Sequence, residues 1–218
     1  MHGDRIVIEA HHRTAAEAID RWLSAQGLPG SKRLVVTVAG ESGSGKSETA
    51  AALAERLAAR GYRPCVFQQD DYFRLPPKSN DRRRREGIDW VGPDEVRIDR
   101  LDADLDAFRA GAADRLKPLV RYAEDRIDEE RVDLSAHDVA IAEGTYTSLL
   151  DADVRVFIDR DWQQTRAHRE KRLRDVSELD PFIDRVLEIE HEIIASHKPR
   201  ADLVIDTEYA VHPAERAP

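Results

Sequence analysis

The sequence predicts an α/β fold, a parallel sheet of about five strands with helices on both faces. Three observations lead there. Short β-branched runs alternate with helical patterns, the signature of stacked βαβ units. One apolar run, Leu34-Val35-Val36-Thr37-Val38-Ala39, passes directly into a glycine-rich loop and then into an alanine-rich helix. The chain has 218 residues, 41% of them hydrophobic, which is enough to bury one core.

From the N-terminus, Ile6-Val7-Ile8 reads as a strand, followed by a helix carrying Ile19, Trp22 and Leu23. Residues 1–33 are therefore expected to form a strand–helix extension packed on a domain that spans 34–218. Leu34–Ala39 is continuously apolar, as a strand covered on both faces requires. Lys46 to Arg60 reads as a helix, with Leu53 and Leu57 at i, i+4 and Gly61 as its C-cap. Further strands are expected at 65–68, 138–143, 155–159 and 202–206. Residues 94–110 place Ile98, Leu101, Leu105 and Phe108 on one helical face. The charged stretch 161–175 reads as an exposed, movable helix, an arginine-rich lid at about 160–180. Asp180-Pro181 then offers an N-cap with proline at the first helical position. Phe182, Val186, Ile189 and Ile193 follow as an apolar stripe for core packing, ending near His197.

Composition removes several classes of function. A net charge of −9 argues against a nucleic-acid or anionic-membrane surface, so any anion site must be locally basic. No apolar run approaches the ~20 residues that span a bilayer, and the N-terminus lacks a signal-peptide layout. A single cysteine, Cys65, sits among apolar neighbours as a structural residue and suits a reducing compartment, hence a cytoplasmic protein. A homo-oligomer is compatible with all of this. Among the histidines, His11 and His12 are adjacent and His191 and His197 are six apart, so no zinc-like set exists.

Chemistry enters at Gly40-Glu41-Ser42-Gly43-Ser44-Gly45-Lys46-Ser47, which matches G-x-x-x-x-G-K-[S/T] in full between a strand and a helix. That pattern specifies a P-loop NTPase fold. Glycines let successive amide N–H groups turn inward onto phosphate oxygens, and the following helix adds its positive end. Gly40, Ser42, Gly43, Ser44, Gly45, Lys46, Ser47 and Glu48 are thus the expected nucleotide-binding residues. Lys46 reaches the β- and γ-phosphates and Ser47 ligates magnesium. The absence of an N-K-x-D motif disfavours a GTPase, and the short chain disfavours a motor.

Acids at the carboxyl ends of neighbouring strands complete the expected site. Asp70 is placed to accept the proton of an attacking hydroxyl, and it could also hold the metal, with Asp71 beside it. Glu143 closes four apolar residues beside Gly144, the pattern of a carboxylate that holds magnesium directly or through water. Arg166, Arg169 and Arg172 recur every three residues on the lid, with Lys171 and Arg174 nearby, and could neutralise charge during transfer. Arg82-Arg83-Arg84-Arg85 falls where a substrate flap would lie, in what reads as a loop, and could hold an anionic acceptor.

Taken together, these motifs resemble the uridine kinase and phosphoribulokinase group of P-loop kinases, from about Leu34 to Asp206. Besides the phosphate loop, Gln69-Asp70-Asp71-Tyr72-Phe73-Arg74 resembles that family's Q-D-x-[FY]-[YF]-R segment. Trp90-Val91-Gly92-Pro93-Asp94-Glu95 resembles its D-H-P-D-A segment, Ile141-Ala142-Glu143-Gly144 its h-h-E-G, and Thr165 to Asp175 its lid. The resemblance implies ATP and Mg2+ as cofactors, a small-molecule acceptor whose hydroxyl receives the γ-phosphoryl group, and Asp70, Lys46, Arg169 and Arg172 as catalytic residues. Departures touch the acceptor side. Val120 and Asp125 stand where nucleoside kinases of the group carry the tyrosine and histidine of P-x-Y-D-F-x-x-H. Val91 stands at the ribose-binding aspartate, and Glu178-Leu179-Asp180-Pro181 replaces the E-R-G-R ending of the lid. Two alternatives therefore stay open beside a uridine kinase-like activity. One is a kinase whose sugar, sugar phosphate or other anionic acceptor is held by Arg82–Arg85 and Arg121; the other is a regulatory ATP-binding module.

Overall fold

The computed structural model describes residues 6–165 and 180–214. Among them, in chain order, run α1 (Ala10–Ala25), β1 (Leu34–Gly40), α2 (Lys46–Ala59), β2 (Pro64–Gln68), α3 (Pro77–Glu86) and α4 (Ile98–Arg109). They are followed by β3 (Arg115–Arg121), β4 (Arg126–Val132), β5 (Val139–Gly144), β6 (Val154–Ile158), α5 (Pro181–Ala195), β7 (Leu203–Ile205) and β8 (Val211–Pro213). The sheet has the order β2-β5-β1-β6-β7-β8; the first five strands are parallel and β8 is antiparallel to β7. The five strands expected from Leu34 onward are present, and β8 is an addition too short to stand out in the sequence.

Alternation along the buried strands divides the core between the two faces. Leu34, Val36 and Val38 of β1 join Ile19 and Leu23 of α1 and Leu53 and Leu57 of α2. Val35 and Ala39 join Leu101, Leu105 and Phe108 of α4 and Ile194 of α5 on the other side. Side chains that alternate across a strand make this division unavoidable once both faces are covered. The packing of α1 on α2 includes an ion pair: Asp20 is 2% exposed, takes a hydrogen bond from Arg56 Nε at 2.8 Å, and pairs with Arg60.

Three expectations need correction. Ile6-Val7-Ile8 is not a strand; Ile6 and Val7 are exposed and no sheet edge pairs with them. A strand needs a partner for its amides, and both edges lie elsewhere, at β2 and β8. Residues 94–110 divide into a 3-10 turn at Pro93–Glu95 and then α4. The arginine run is not a loop but the second half of α3, which opens with Pro77 at the first helical position. Its orphan amides are capped from a distance: Asp125 Oδ1 accepts from the N–H groups of Lys78 and Ser79 at 2.7 and 3.3 Å. Asp125 sits at the tip of the β3–β4 hairpin, in the left-handed region with φ 48°. That hairpin was not anticipated, because its strands carry mainly charged residues and no apolar alternation.

Candidate active site

β1 ends at Gly40, and the chain winds through the phosphate loop into α2, whose N-cap is Gly45. Gly45 has φ 92°, and a Cβ there would lie 2.6 Å from the Tyr209 hydroxyl and 2.9 Å from His12 Nε2. Glycine is thus required both by conformation and by packing behind the loop. Lys46 Nζ donates to the Glu41 carbonyl at 2.8 Å, which folds its ammonium back over the loop. Glu48 is buried in the first turn of α2, close enough to Tyr209 for its charge to act on the phenol. The Ser42 carbonyl accepts from Thr165 Oγ1 at 2.9 Å, tying the loop to the last residue described before 166–179.

Parallel register brings the acids to the same end of the sheet. Glu143 of β5 pairs with Val38 of β1 on one side and Gln68 of β2 on the other, two residues before the phosphate loop begins at Gly40. Its Oε1 accepts from Ser47 Oγ at 3.0 Å. Gly144 follows, and a Cβ on it would run into the Gln69 side chain. The absence of that Cβ lets the 3-10 turn Gln69–Tyr72 press onto the end of β5 and brings Asp70 to Glu143. Glu143 is 5% exposed; burial, with the like charge of Asp70, raises its pKa to about 7, against the pull of Lys46 and the Ser47 hydroxyl.

A carboxylate held this dry beside a second acid and a hydroxyl fits a hard divalent cation, which would favour the ionised form. Among the described residues no three His, Cys, Asp or Glu side chains form a metal cage. Ser47 and Glu143 therefore suit magnesium that arrives with nucleotide phosphates and keeps water among its ligands.

Asp71 does not join this group. Its carboxylate, 2% exposed, accepts the Val120 N–H of β3 at 2.9 Å and lies 3.5 Å from Lys117 Nζ, so it anchors the hairpin. Three members of the arginine run are also committed elsewhere. Arg84 pairs with Glu95 and Glu190, Arg85 with Asp81 and Asp180, and Arg83 lies over the Trp90 ring. Arg121 pairs with Asp128 at 2.5 Å. Arg169 and Arg172, with the rest of the stretch 166–179 expected to form an arginine-rich lid, lie outside the described residues.

Sequence reasoning missed two neighbours on α5. His191 Nδ1 lies 2.6 Å from Glu41 Oε1 of the phosphate loop. Burial raises the Glu41 pKa and the hydrogen bond to Glu41 raises that of His191. Glu190, the residue before it, joins Arg84 and lies within electrostatic reach of Lys46. A signal was present: Val186, Glu190 and Ile194 share the buried face of α5, which puts a carboxylate at a core position.

The profile of the Phosphoribulokinase / Uridine kinase family matches residues 35–206. A bifunctional alpha-galactosidase/sucrose kinase of Mediterraneibacter gnavus is 28% identical over 209 residues, which cover 90% of this chain and 22% of that protein. This chain therefore spans less than a quarter of that relative's length. A uridine kinase of Leuconostoc citreum is 25% identical over 191 residues, covering 81% of this chain and 88% of the relative. Among solved structures, a possible uridine kinase from Bacillus stearothermophilus superposes with a TM-score of 0.59 at 23% identity, over 88% of this chain and 97% of that one. With the family's profile spanning both the phosphate loop and Glu143, the chain belongs to the Phosphoribulokinase / Uridine kinase family.

Proposed function

We propose that the protein is a cytoplasmic kinase that transfers the γ-phosphoryl group of ATP to a hydroxyl of a small metabolite, in the manner of uridine kinases. The carrying observation is the meeting of Ser47, Glu143 and Asp70 beside Lys46, with Ser47 Oγ 3.0 Å from Glu143 Oε1. Membership in a family of kinases supports it, as do the sucrose and uridine kinases among the relatives.

In this reading the phosphate loop and Lys46 bind the triphosphate, and Ser47 and Glu143 hold magnesium, either directly or through water. Magnesium, when bound, neutralises charge on the phosphate oxygens. Asp70 orients the acceptor hydroxyl and takes its proton as the oxygen bonds to phosphorus. The bond from phosphorus to the β–γ bridging oxygen breaks and ADP leaves. Arg169 and Arg172, carried by the lid, would close over the transferring group. Catalysis is then positioning and electrostatics, with little covalent chemistry on the protein. We take α1 to be a layer added to the kinase domain that begins at Leu34.

ADP release with Mg·ATP across a panel of acceptors tests the reading. One acceptor should stimulate turnover and yield a phosphorylated product by mass spectrometry. Asp70→Asn should lower kcat by about 100-fold or more while nucleotide binding persists. Nucleotide binding without acceptor-stimulated turnover would instead favour a regulatory module.

A further inference from the structure

On the acceptor side lies a buried cluster with more acid than base. Arg84 of α3 donates through Nε to Glu95 Oε2 at 2.7 Å and through Nη2 to Glu190 Oε1 at 3.0 Å. Glu95 has no exposed surface and Glu190 is 8% exposed. Glu95 is saturated by protein, since it also takes hydrogen bonds from the Gly92 N–H at 2.9 Å and from the Asn80 amide. Glu190 is not: among the described residues Arg84 is its one hydrogen-bond partner. Glu190 also lies within electrostatic reach of Lys46, so the cluster borders the phosphate loop.

A second observation points to a ligand at the same place. The Tyr146 hydroxyl is buried, with the residue 1% exposed, and has no hydrogen-bond partner among the described residues. The charges it feels are those of Glu190, Glu95 and Arg84. Gln69, beside Asp70, is likewise fully buried with its Nε2 unpartnered. Buried donors left unmade are costly, and the Tyr146 hydroxyl, in the field of an underused carboxylate, marks a polar site.

Resting on the kinase reading above, we propose that Glu190, Arg84 and Tyr146 bind the acceptor, and that it is an uncharged polyhydroxyl molecule. The hydroxyls of a free sugar, or of the ribose of a nucleoside, donate to the Glu190 carboxylate and accept from the Tyr146 hydroxyl and the Arg84 guanidinium. A sugar phosphate or hydroxy acid instead meets two carboxylates against one guanidinium. Among the described residues, Arg85 is engaged with Asp81 and Asp180, Arg121 with Asp128, and Lys117 with Asp71 and Glu130. A like charge at a desolvated site is a strong rejection device.

The test is steady-state ADP release on a panel with four arms: free sugars, nucleosides, sugar phosphates and hydroxy acids. The neutral arms are expected to give the highest kcat/KM, and which of them responds separates a free sugar from a nucleoside. Glu190→Gln should raise the KM of the neutral acceptor by about tenfold while the KM for ATP stays nearly constant. Tyr146→Phe guards against a folding artefact, because the oxygen it removes has no hydrogen-bond partner among the described residues. It should leave the melting temperature unchanged or raised, and raise the acceptor KM by about fivefold. A higher kcat/KM for an anionic acceptor, or an unchanged acceptor KM in Tyr146→Phe, overturns the proposal while leaving the kinase reading intact. A flat panel with ATP binding preserved removes the kinase reading, and this inference with it.

Discussion

Tyr209 donates its hydroxyl hydrogen bond to the Ser44 carbonyl at 3.0 Å and so fastens the phosphate loop from behind. The same oxygen accepts from Arg160 Nη1 at 2.7 Å, and the guanidinium also lies over the ring, 4.9 Å from its centroid. The rings of His11 and His12 from α1 pack against the phenol at 4.1 and 5.2 Å. Tyr209 achieves this in the left-handed region, at φ 62°, a conformation that costs a non-glycine residue and is held by its surroundings. Tyr209→Phe should keep the packing and lose both hydrogen bonds, about 1 kcal/mol each. The expected outcome is a lower melting temperature with a raised KM for ATP; an unchanged KM would mean that the loop holds its shape without the phenol.

Gly45 is the complementary case. Gly45→Ala adds a methyl group 2.6 Å from the Tyr209 hydroxyl at φ 92°. Strain of this kind is worth about 1–3 kcal/mol and falls on the loop that must cradle phosphate. Nucleotide affinity should drop about tenfold or more by isothermal titration, while circular dichroism of the variant remains that of the parent.

Glu143 sets function against stability. Its pKa is raised from 4.5 to about 7 by burial, so folded protein binds its proton more tightly than unfolded chain does. Stability from this group is therefore full below pH 4.5, falls as pH rises through about 7, and is lost above it. At pH 8, without magnesium, Glu143→Gln removes a penalty on the order of 3 kcal/mol. That variant should melt higher than the parent in chelator and yet require more magnesium for turnover. A lower melting temperature in chelator would show that the carboxylate is held by something other than the cation.

The Glu41–His191 pair predicts a second pH dependence. His191 has its pKa raised above 6.5 by its hydrogen bond to Glu41, so its contribution is full below pH 6.5 and lost as pH climbs through the raised value. Glu41, raised above 4.5 by burial, acts in the same direction. Parent and His191→Gln should differ most in melting temperature near pH 6 and converge toward pH 9. A gap that widened with pH would contradict this assignment.

What was legible in the sequence followed from local periodicity and from short-range spacing. The strand–loop–helix from Leu34 to Ala59 and the strand ending at Glu143 were readable, because apolar continuity and glycine placement are local properties. Helix α3 was not, since the carboxylate that caps it comes from Asp125, across a hairpin whose cross-strand pairs are largely charged. The same non-locality hid the fate of the arginines. Arg84 looked like a free cation in a run of four until α5 and the Pro93–Glu95 turn supplied its two carboxylates. Glu190 and Tyr146 belong to no motif; their meaning lies in burial without sufficient partners, which only three dimensions display.

Glu190 and His191 are consecutive on α5, one directed to the acceptor cluster and the other to the phosphate loop. A single rigid element thus holds one contact in each half of the site. If Glu190 binds the acceptor as proposed, a ligand that fixes the helix for one half fixes it for the other, and the affinities of nucleotide and acceptor become thermodynamically linked. Linkage is symmetrical: the factor by which nucleotide tightens acceptor equals the factor by which acceptor tightens nucleotide. Binding synergism of this kind would favour the ternary complex over either binary one, and in the proposed kinase would limit the wasteful transfer of phosphoryl groups to water.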